Sequence, residues 1–214
     1  MGVIFDNFDL WSEALGNTLL LFVAGGGIAL VLGLLVGAMR VSPVPIARGV
    51  GTVYVNMVRN TPLTLVFFFF AFGYPQLLPS PGFTVLAIWA LGIYTATYVA
   101  EVVRAGVNTV PVGQAEAARA IGLTFGQVMS LIVLPQAVRS VVPPMMSVLI
   151  ALLKNTTVAA GFSVLELGAV RAYLSERGEN ALVVLLWVAV IFVALVFVLS
   201  FVQRRLETVW RIAR

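Results

Sequence analysis

Residue types that many enzymes depend on are missing from this chain of 214 residues. It has no cysteine and no histidine, and only 10% of its residues are charged. The absence of cysteine excludes disulfides and cysteine-based metal sites, and the absence of histidine removes the commonest general base. Water-soluble domains average about 25% charged residues. Because this chain is 61% hydrophobic, with a mean hydropathy of +1.05, we expect a membrane protein.

A phosphate-binding loop is also missing. Such a loop ends in Gly-Lys followed by Ser or Thr, whereas the only lysine, Lys154, follows Leu152 and Leu153. An intramembrane protease needs placed nucleophiles, histidine or paired acids, and only Glu101 lies near an apolar stretch. We therefore expect no catalytic residue, no metal site and no cofactor, so that any ATP hydrolysis belongs to a separate subunit.

Five apolar stretches are long enough to cross a bilayer, whose hydrocarbon core takes about 20 helical residues. Arg59-Asn60-Thr61-Pro62 interrupts the second stretch, and the turn-rich residues 73–82 separate it from the third. The acidic N-terminus lacks the positive start of a secretory signal, so we expect the first stretch to stay in the mature protein. The predicted spans are residues 14–39, 46–72, 83–103, 137–161 and 181–203.

The arginines predict how these spans are oriented. An odd number of spans puts the two ends of the chain on opposite sides, and short cytoplasmic loops are rich in Lys and Arg. If the C-terminus is inside, only Arg171 and Arg177 face outward, which favours an N-terminus outside and a C-terminus inside. The arginines on the cytoplasmic side are then Arg40, Arg48, Arg104, Arg119, Arg139, Arg204, Arg205, Arg211 and Arg214.

Residues 105–136, between the third and fourth spans, interrupt the apolar pattern with a polar segment. Pro111 suits the first turn of a helix, and Gly122 suits the left-handed residue that ends one. Thr124 and Gln127 have the spacing of a capping box, which starts a further helix. The pattern predicts a short helix over residues 112–121, a sharp turn, and a helix that returns to the membrane.

The composition of this short helix favours docking on a protein over lying on lipid. A helix that binds lipid headgroups needs large apolar anchors and several Lys or Arg. This one is rich in alanine, and Arg119 is its only basic residue. The alanines give a slim body that can enter a groove, and Glu116 can accept hydrogen bonds from donors on a partner.

Five motifs extend over most of the chain. They are Arg59-Asn60-Thr61-Pro62-Leu63, Tyr98-Val99-Ala100-Glu101 with Arg104, Gly113-Gln114-Ala115-Glu116-Ala117-Ala118, Leu134-Pro135-Gln136-Ala137 and Lys154-Asn155-Thr156-Thr157. In this order they resemble the permease subunits of bacterial polar amino-acid ABC importers, and most of all those of actinobacterial glutamate importers. The polar segment itself resembles the cytoplasmic EAA loop of these permeases.

The resemblance implies an all-α integral membrane protein with the type I ABC importer permease fold. Residues 1–214 would form one transmembrane domain, with residues 105–136 as its cytoplasmic coupling segment. The expected location is the bacterial cytoplasmic membrane, and the expected activity is import of a polar amino acid, glutamate above all, by alternating access. An ion-coupled secondary amino-acid transporter is the alternative, but it predicts an internal inverted repeat that we do not find.

The resemblance also implies an assembly. The expected partners are a second permease, identical or different, two ABC ATPase subunits and an extracytoplasmic substrate-binding protein. Membrane lipid would surround the complex, and no nucleic acid is expected. The ATPase-coupling residues would be Gln114, Glu116, Ala117, Ala118, Arg119 and Gly122.

Charged and polar residues deep within the second and fourth spans are candidates for the substrate path. A charge at the bilayer centre costs about 2.5–3.5 kcal/mol even on the gentler scales, so it usually faces the bundle interior or a watery cavity. Cations there suit the carboxylates of an amino acid, although snorkelling or a structural ion pair is the alternative. The candidate substrate-binding residues are Lys154, Asn155, Thr156, Thr157, Arg59, Asn60 and Thr61.

Two further patterns concern packing. Small residues recur at four-residue spacing in the first span, which suits close helix contact either within one subunit or between subunits. These residues are Gly25, Ala29, Gly33 and Gly37. Near the cytoplasmic end of the third span, Glu101 and Arg104 are three residues apart, where a local ion pair is expected.

Overall fold

The computed structural model describes residues 2–209, and these residues form helices with no β-strand. Four helical segments are long and apolar enough to cross a membrane, and a bent pair supplies a fifth. The all-α prediction with five spans is therefore confirmed. The helices are α1 (Gly2–Phe5), α2 (Phe8–Val41), α3 (Pro45–Arg59), α4 (Leu63–Phe68), α5 (Tyr74–Leu77), α6 (Phe83–Asn108), α7 (Val112–Ala120), α8 (Phe125–Val128), α9 (Leu134–Asn155), α10 (Val170–Glu176) and α11 (Ala181–Val209).

The second predicted span is bent by 98° between α3 and the helix that follows it. The bend falls at Asn60–Pro62, because Pro62 has no backbone N–H with which to continue the ladder of α3. The prediction of a turn is wrong for residues 73–77, which stay helical. A π-helical turn, Phe69–Gly73, carries the helix past Gly73 directly into α5, so Pro75 lies inside a continuous helix just after that widened turn.

The fourth span is longer than predicted. It extends from Phe125 to Phe162, because α8 and α9 are joined by a π-helical turn, Met129–Val133, and α9 continues into a 3-10 helix, Thr156–Phe162. Ser163 ends that 3-10 helix in the left-handed conformation, with φ 58°. The span therefore begins next to the polar segment and ends at the opposite side of the bundle.

The glycine stripe of α2 packs against α6 within this chain. Gly25 faces Leu91, and Gly33 approaches Val99 so closely that a Cβ atom on Gly33 would collide with that side chain. The contacts advance together along both helices, so α2 and α6 run parallel. The sequence left open whether this stripe packs within one subunit or between subunits. In the described residues, it packs within the subunit.

The parallel arrangement of α2 and α6 defines two ends of the bundle. We call the end with the C-terminal residues of both helices the coupling end, because α7 follows α6 there. At the far end, Trp11 and Ala14 of α2 pack with Leu167, Val170 of α10 and Val184 of α11 in one buried cluster. The contact between α2 and α6 runs along the bundle between these two ends.

Candidate functional site

The predicted short helix is present as α7, and both of its predicted boundaries are confirmed within one residue. It ends in two hydrogen bonds of a Schellman motif, from Leu123 N–H to the Ala118 carbonyl and from Gly122 N–H to the Arg119 carbonyl. Gly122 has φ +91°, the left-handed conformation that the sequence predicted. The capping box of Thr124 and Gln127 then starts α8.

One face of α7 is fixed to the bundle. Ala118 is buried with Val110, Val128 and Val133, and Gln136 Nε2 of α9 donates a hydrogen bond to Gln114 Oε1 at 2.7 Å. The helix is therefore seated between the end of α6 and the start of the fourth span. Ala118 therefore packs against the bundle and does not belong to the exposed face of α7.

The opposite face of α7 is open. Of the predicted coupling residues, all except Ala118 are exposed. Beside them lie two large apolar side chains that the sequence reasoning passed over, Val112 with 72% and Ile121 with 81% of the side chain exposed. Val112 lies one turn before Glu116, and Ile121 follows the C-terminal end of α7. The exposed coupling residues are Gln114, Glu116, Ala117, Arg119 and Gly122.

An arginine cluster lies one to two turns before the coupling end of α6. The expected Glu101–Arg104 ion pair is confirmed, with Arg104 Nε and Nη2 donating to Glu101 Oε2 at 3.1 and 2.9 Å. Arg40 of α2 donates to Glu101 Oε1 at 2.6 Å, and Arg59 of α3 approaches the same oxygen at 3.7 Å. Three arginines from three helices thus surround one carboxylate.

An open groove of about 410 Å³, which we call the central cavity, lies between α6 and α9, with Ser147 and Ala151 exposed on its α9 wall. The hydroxyls of Tyr94 and Tyr98 are 2.9 Å apart on its α6 wall, and Asn155 lies on its α9 wall. The guanidinium of Arg59 sits over the Tyr98 ring, 5.3 Å from its centroid. Of the predicted path residues, Asn155 lines this cavity, whereas Arg59 does not line it and only contacts Tyr98, a lining residue that the sequence reasoning did not single out.

Lys154 lies elsewhere. It lines a lateral groove of about 460 Å³ between α9 and α11, whose walls are apolar apart from Ser200 and Arg204. Neighbouring residues of a helix point about 100° apart, so Lys154 and Asn155 face different spaces. Lys154 forms no ion pair with any of the described residues.

The remaining candidates bond to nearby backbone. Thr156 is fully buried, and its hydroxyl donates to the Leu153 carbonyl, while the Thr157 hydroxyl donates to the Lys154 carbonyl. At the 98° bend, Asn60 and Thr61 are attached in the same manner to residues one turn earlier in α3. The roles of these four residues in binding substrate stay predictions.

Glu166, at the far end, was also missed by the sequence reasoning. Its side chain is fully buried, and its carboxylate accepts hydrogen bonds from the backbone N–H groups of Gly168 and Ala169. Its second oxygen, Oε2, has no hydrogen-bond partner among the described residues. Burial raises the pKa of Glu166 to about 7, against the smaller opposing effect of the two backbone bonds. Glu166 stands between Leu165 and Leu167 in an apolar loop, and this setting is the sequence signal that could have indicated its burial.

These features define a multi-pass membrane protein with a short, largely exposed helix, α7, between two of its spans. The family described as binding-protein-dependent transport system inner membrane component matches residues 29–211, and the chain belongs to this family. The resemblance to amino-acid ABC importer permeases is thereby confirmed, together with the inner-membrane location.

Individual relatives carry amino-acid names. The glutamate transport system permease protein GluC of Corynebacterium glutamicum is 45% identical over 168 residues, covering 73% of this chain and 74% of GluC. The probable glutamine ABC transporter permease protein GlnM of Bacillus subtilis is 35% identical, covering 97% and 98% of the two chains. The glutamate/aspartate import permease protein GltJ of Escherichia coli K12 is 31% identical, covering 89% and 84%.

Solved structures have the same fold. The crystal structure of an amino acid ABC transporter with histidines matches 96% of this chain and 96% of its own, with a TM-score of 0.90 at 24% identity. An inward facing conformation of the MetNI methionine ABC transporter matches 95% and 97%, with a TM-score of 0.80 at 25% identity. The type I importer permease fold predicted from the motifs is therefore confirmed.

Proposed function

We propose that this chain is the membrane subunit of an ATP-driven importer for a polar amino acid, with glutamate as the expected substrate. One observation carries the proposal: α7 presents an open face and is seated between α6 and the fourth span, the two elements that line the central cavity. Force applied to α7 would therefore reach the cavity through two packed helices. The hydrolysis of ATP would take place in a separate subunit.

The orientation that we propose places the N-terminus outside and the coupling end in the cytoplasm. Arg171 and Arg177 belong to the far end, whereas Arg40, Arg104 and Arg119 lie toward the coupling end. Such a bias supports a cytoplasmic coupling end. Arg211 and Arg214, which the sequence argument also used, lie outside the described residues.

Alternating access is the mechanism that we propose for two such permeases side by side. Two ATPase subunits would dock on the two α7 helices and, on binding ATP, would bring them together. Since α7 is attached to α6 and α9, this motion would open the cavities toward the far end, where a binding protein delivers substrate. Hydrolysis would let the cavities reopen at the coupling end.

The substrate path that we propose includes the predicted residues to different degrees. Asn155 lines the central cavity and Arg59 contacts its lining residue Tyr98, so these two are its main candidates, with Asn60 and Thr61 at the neighbouring bend. Lys154 would join them if a second permease closes the lateral groove, because a cation at this depth is costly against lipid. Thr156 and Thr157 would act mainly by fixing the backbone between Lys154 and the far end.

Charge reversal on α7 tests the proposal. We expect Glu116→Lys to lower the amount of ATPase that co-purifies with the permease by roughly tenfold or more, because it removes an acceptor and repels donors on the partner. ATP-driven glutamate uptake into proteoliposomes should fall in parallel. The matched control is Glu176→Lys, the same reversal at an exposed position of the far end, which should keep its ATPase.

Two results would contradict the proposal. One is full ATPase retention and full uptake in Glu116→Lys. The other is amino-acid uptake that continues without ATP and stops when ion gradients are collapsed, which would favour the ion-coupled transporter instead.

A further inference from the structure

Helix α3 has three sides of different character. Gly51 and Val55 are buried, and the Tyr54 hydroxyl donates to the Ile93 carbonyl of α6 at 2.7 Å, so one side is fixed against the bundle. Because successive residues of a helix point about 100° apart, the remaining surface divides into two sectors. The apolar sector holds Ile46, Val50, Val53 and Met57, and the polar sector holds Arg48, Thr52, Asn56, Arg59 and Asn60.

The apolar sector suits lipid. More than half of each of its four side chains is exposed, and none of them carries a polar group. Hydrocarbon can cover such a surface without leaving any hydrogen bond unmade. The apolar sector is therefore the side of α3 that can face the bilayer.

The polar sector does not suit lipid. Arg48, Asn56 and Asn60 are exposed, and the side chains of Arg48 and Asn56 have no hydrogen bond or ion pair among the described residues. Asn56 lies about 16 Å along α3 from its first residue, and its short amide cannot extend to the membrane surface as a lysine or arginine can. Such groups within a span face protein or water.

The polar sector extends from the coupling end toward the central cavity. Arg48 lies in the first turn of α3, just after the coupling end of α2. Near the other end of the sector, the guanidinium of Arg59 lies over the ring of Tyr98, which lines the cavity. From Arg48 to Asn60 the sector is about 18 Å long. It is therefore a continuous polar surface on the same side of α6 as the cavity wall.

We propose that the polar sector of α3 lines a water-filled passage between the central cavity and the coupling end, through which the polar amino acid leaves. This inference rests on the proposed function and adds a second wall to the same path. Thr52 and Asn56 contribute a hydroxyl and an amide, which can replace water around a zwitterion without the fixed charge that would retain it. Neither residue belongs to the five motifs on which the family resemblance rests.

The natural absence of cysteine makes this passage directly testable. Thr52→Cys and Asn56→Cys probe the polar sector. Val53→Cys and Met57→Cys are matched controls, because each lies one residue further along α3 and therefore at nearly the same depth. Two positions in each sector keep the comparison intact if one variant fails to assemble.

The probe is a charged, membrane-impermeant methanethiosulfonate, applied to the permease–ATPase complex in nanodiscs. Labelling of the permease is followed by mass spectrometry, with and without ATP. We expect Thr52→Cys and Asn56→Cys to react roughly tenfold faster than the two controls or more, because the thiolate is the reactive form and lipid disfavours its charge.

Labelling should also block transport. In proteoliposomes, Asn56→Cys should lose most of its ATP-driven glutamate uptake once a bulky thiol reagent has reacted, because the added group obstructs the passage. Met57→Cys treated in the same way should keep its uptake. Treated wild type shows how much of any loss comes from reaction with the ATPase subunits.

The difference between the two sectors decides the outcome. Equal or faster labelling of Val53→Cys and Met57→Cys overturns the proposal, as does failure of both polar-sector variants to react with or without ATP. A disulfide between two Asn56→Cys permeases on mild oxidation, without reaction with the charged probe, would show that a second permease covers the sector, which also overturns it. Uptake by the untreated wild type is measured separately, so the importer function can stand when the passage fails.

Discussion

The two ends of the bundle each hold a carboxylate among packed helices, and they stabilise it in opposite ways. At the coupling end, Glu101 is surrounded by Arg40, Arg59 and Arg104. At the far end, Glu166 is fully buried, has no ion pair among the described residues and accepts bonds from backbone N–H groups. One carboxylate is held charged by cations, whereas burial makes the other readily protonated near neutral pH.

This difference matches what each end has to do in the proposed importer. The cluster ties α2, α3 and α6 together one to two turns before the coupling end. The Glu166 loop instead joins the 3-10 helix to α10, and Leu167 N–H donates to Thr18 of α2 at 3.0 Å. Charge pairs therefore connect helices at the coupling end, and hydrogen bonds between polar side chains and the backbone connect them at the far end.

Removing the charge of Glu101 should have the largest effect on stability. Glu101→Gln leaves Arg40, with 7% of its side chain exposed, without a counter-charge, and we expect a loss of about 3–5 kcal/mol in the free energy of unfolding. Thermal unfolding of the permease in nanodiscs measures this loss. Glu166→Gln should cost much less, because no cation depends on that carboxylate.

A double variant shows whether the cations cause the loss. Arg40→Gln combined with Glu101→Gln should recover part of the stability lost in Glu101→Gln, because the buried cation is removed and the remaining Arg59 and Arg104 are partly exposed. Equal losses in Glu101→Gln and Glu166→Gln would remove the contrast between the two ends.

The pH dependence of stability should come from the far end. The pKa of Glu166 is about 7 in the folded chain against an ordinary 4.5, so folding favours its protonated form. The stability that protonated Glu166 contributes to the folded state is therefore complete below about pH 4.5 and is lost as the pH rises through about 7. From pH 5 to pH 8, we expect a decrease of roughly 3 kcal/mol at most in the free energy of unfolding.

Glu166→Gln is the variant that isolates this effect. It keeps an oxygen that can accept from the Gly168 and Ala169 N–H groups but no longer titrates, so its stability should change less between pH 5 and pH 8. The free energy of unfolding is measured in nanodiscs across that range for the wild type and for Glu166→Gln. Subtracting one curve from the other cancels the contribution of the other titrating groups. Parallel curves would show that Glu166 is already charged in the folded protein.

Features within one helical turn could be predicted from the sequence. The Gly122 cap, the Thr124–Gln127 capping box and the Glu101–Arg104 pair each depend on residues at most five apart, whose geometry the local backbone fixes. The spans themselves follow from the length of apolar sequence that a bilayer needs. These predictions did not require knowledge of how the helices pack.

Features that depend on the rotation of one helix against another could not be predicted. The Arg40–Glu101 bond joins residues 61 positions apart, and nothing local distinguishes Arg40 from any other arginine at a helix end. The adjacent residues Lys154 and Asn155 were expected to line one path, but packing turns them toward different spaces. Burial of Glu166 also depends on the contact between α2 and the loop before α10.

The smallest expected effect compares two helix ends, one at each end of the bundle. Both α7 and the 3-10 helix Thr156–Phe162 end at a left-handed residue, which is Gly122 in the first case and Ser163 in the second. This conformation costs about 1–2 kcal/mol for a residue with a Cβ atom, and glycine is free of this cost. Gly122→Ala should therefore destabilise the chain by about 1 kcal/mol, which is the backbone cost alone. No steric clash adds to this cost, because a Cβ atom on Gly122 would have no other atom within 4 Å.

Ser163→Gly should have the opposite sign. It relieves the strain at φ 58°, while the greater freedom of glycine in the unfolded chain offsets part of the gain, so we expect a stabilisation of about 0.5 kcal/mol. Thermal unfolding of both variants beside the wild type checks the two signs. If Ser163→Gly destabilised the chain as much as Gly122→Ala does, the Ser163 side chain would have to stabilise the far end through contacts that outweigh its backbone strain.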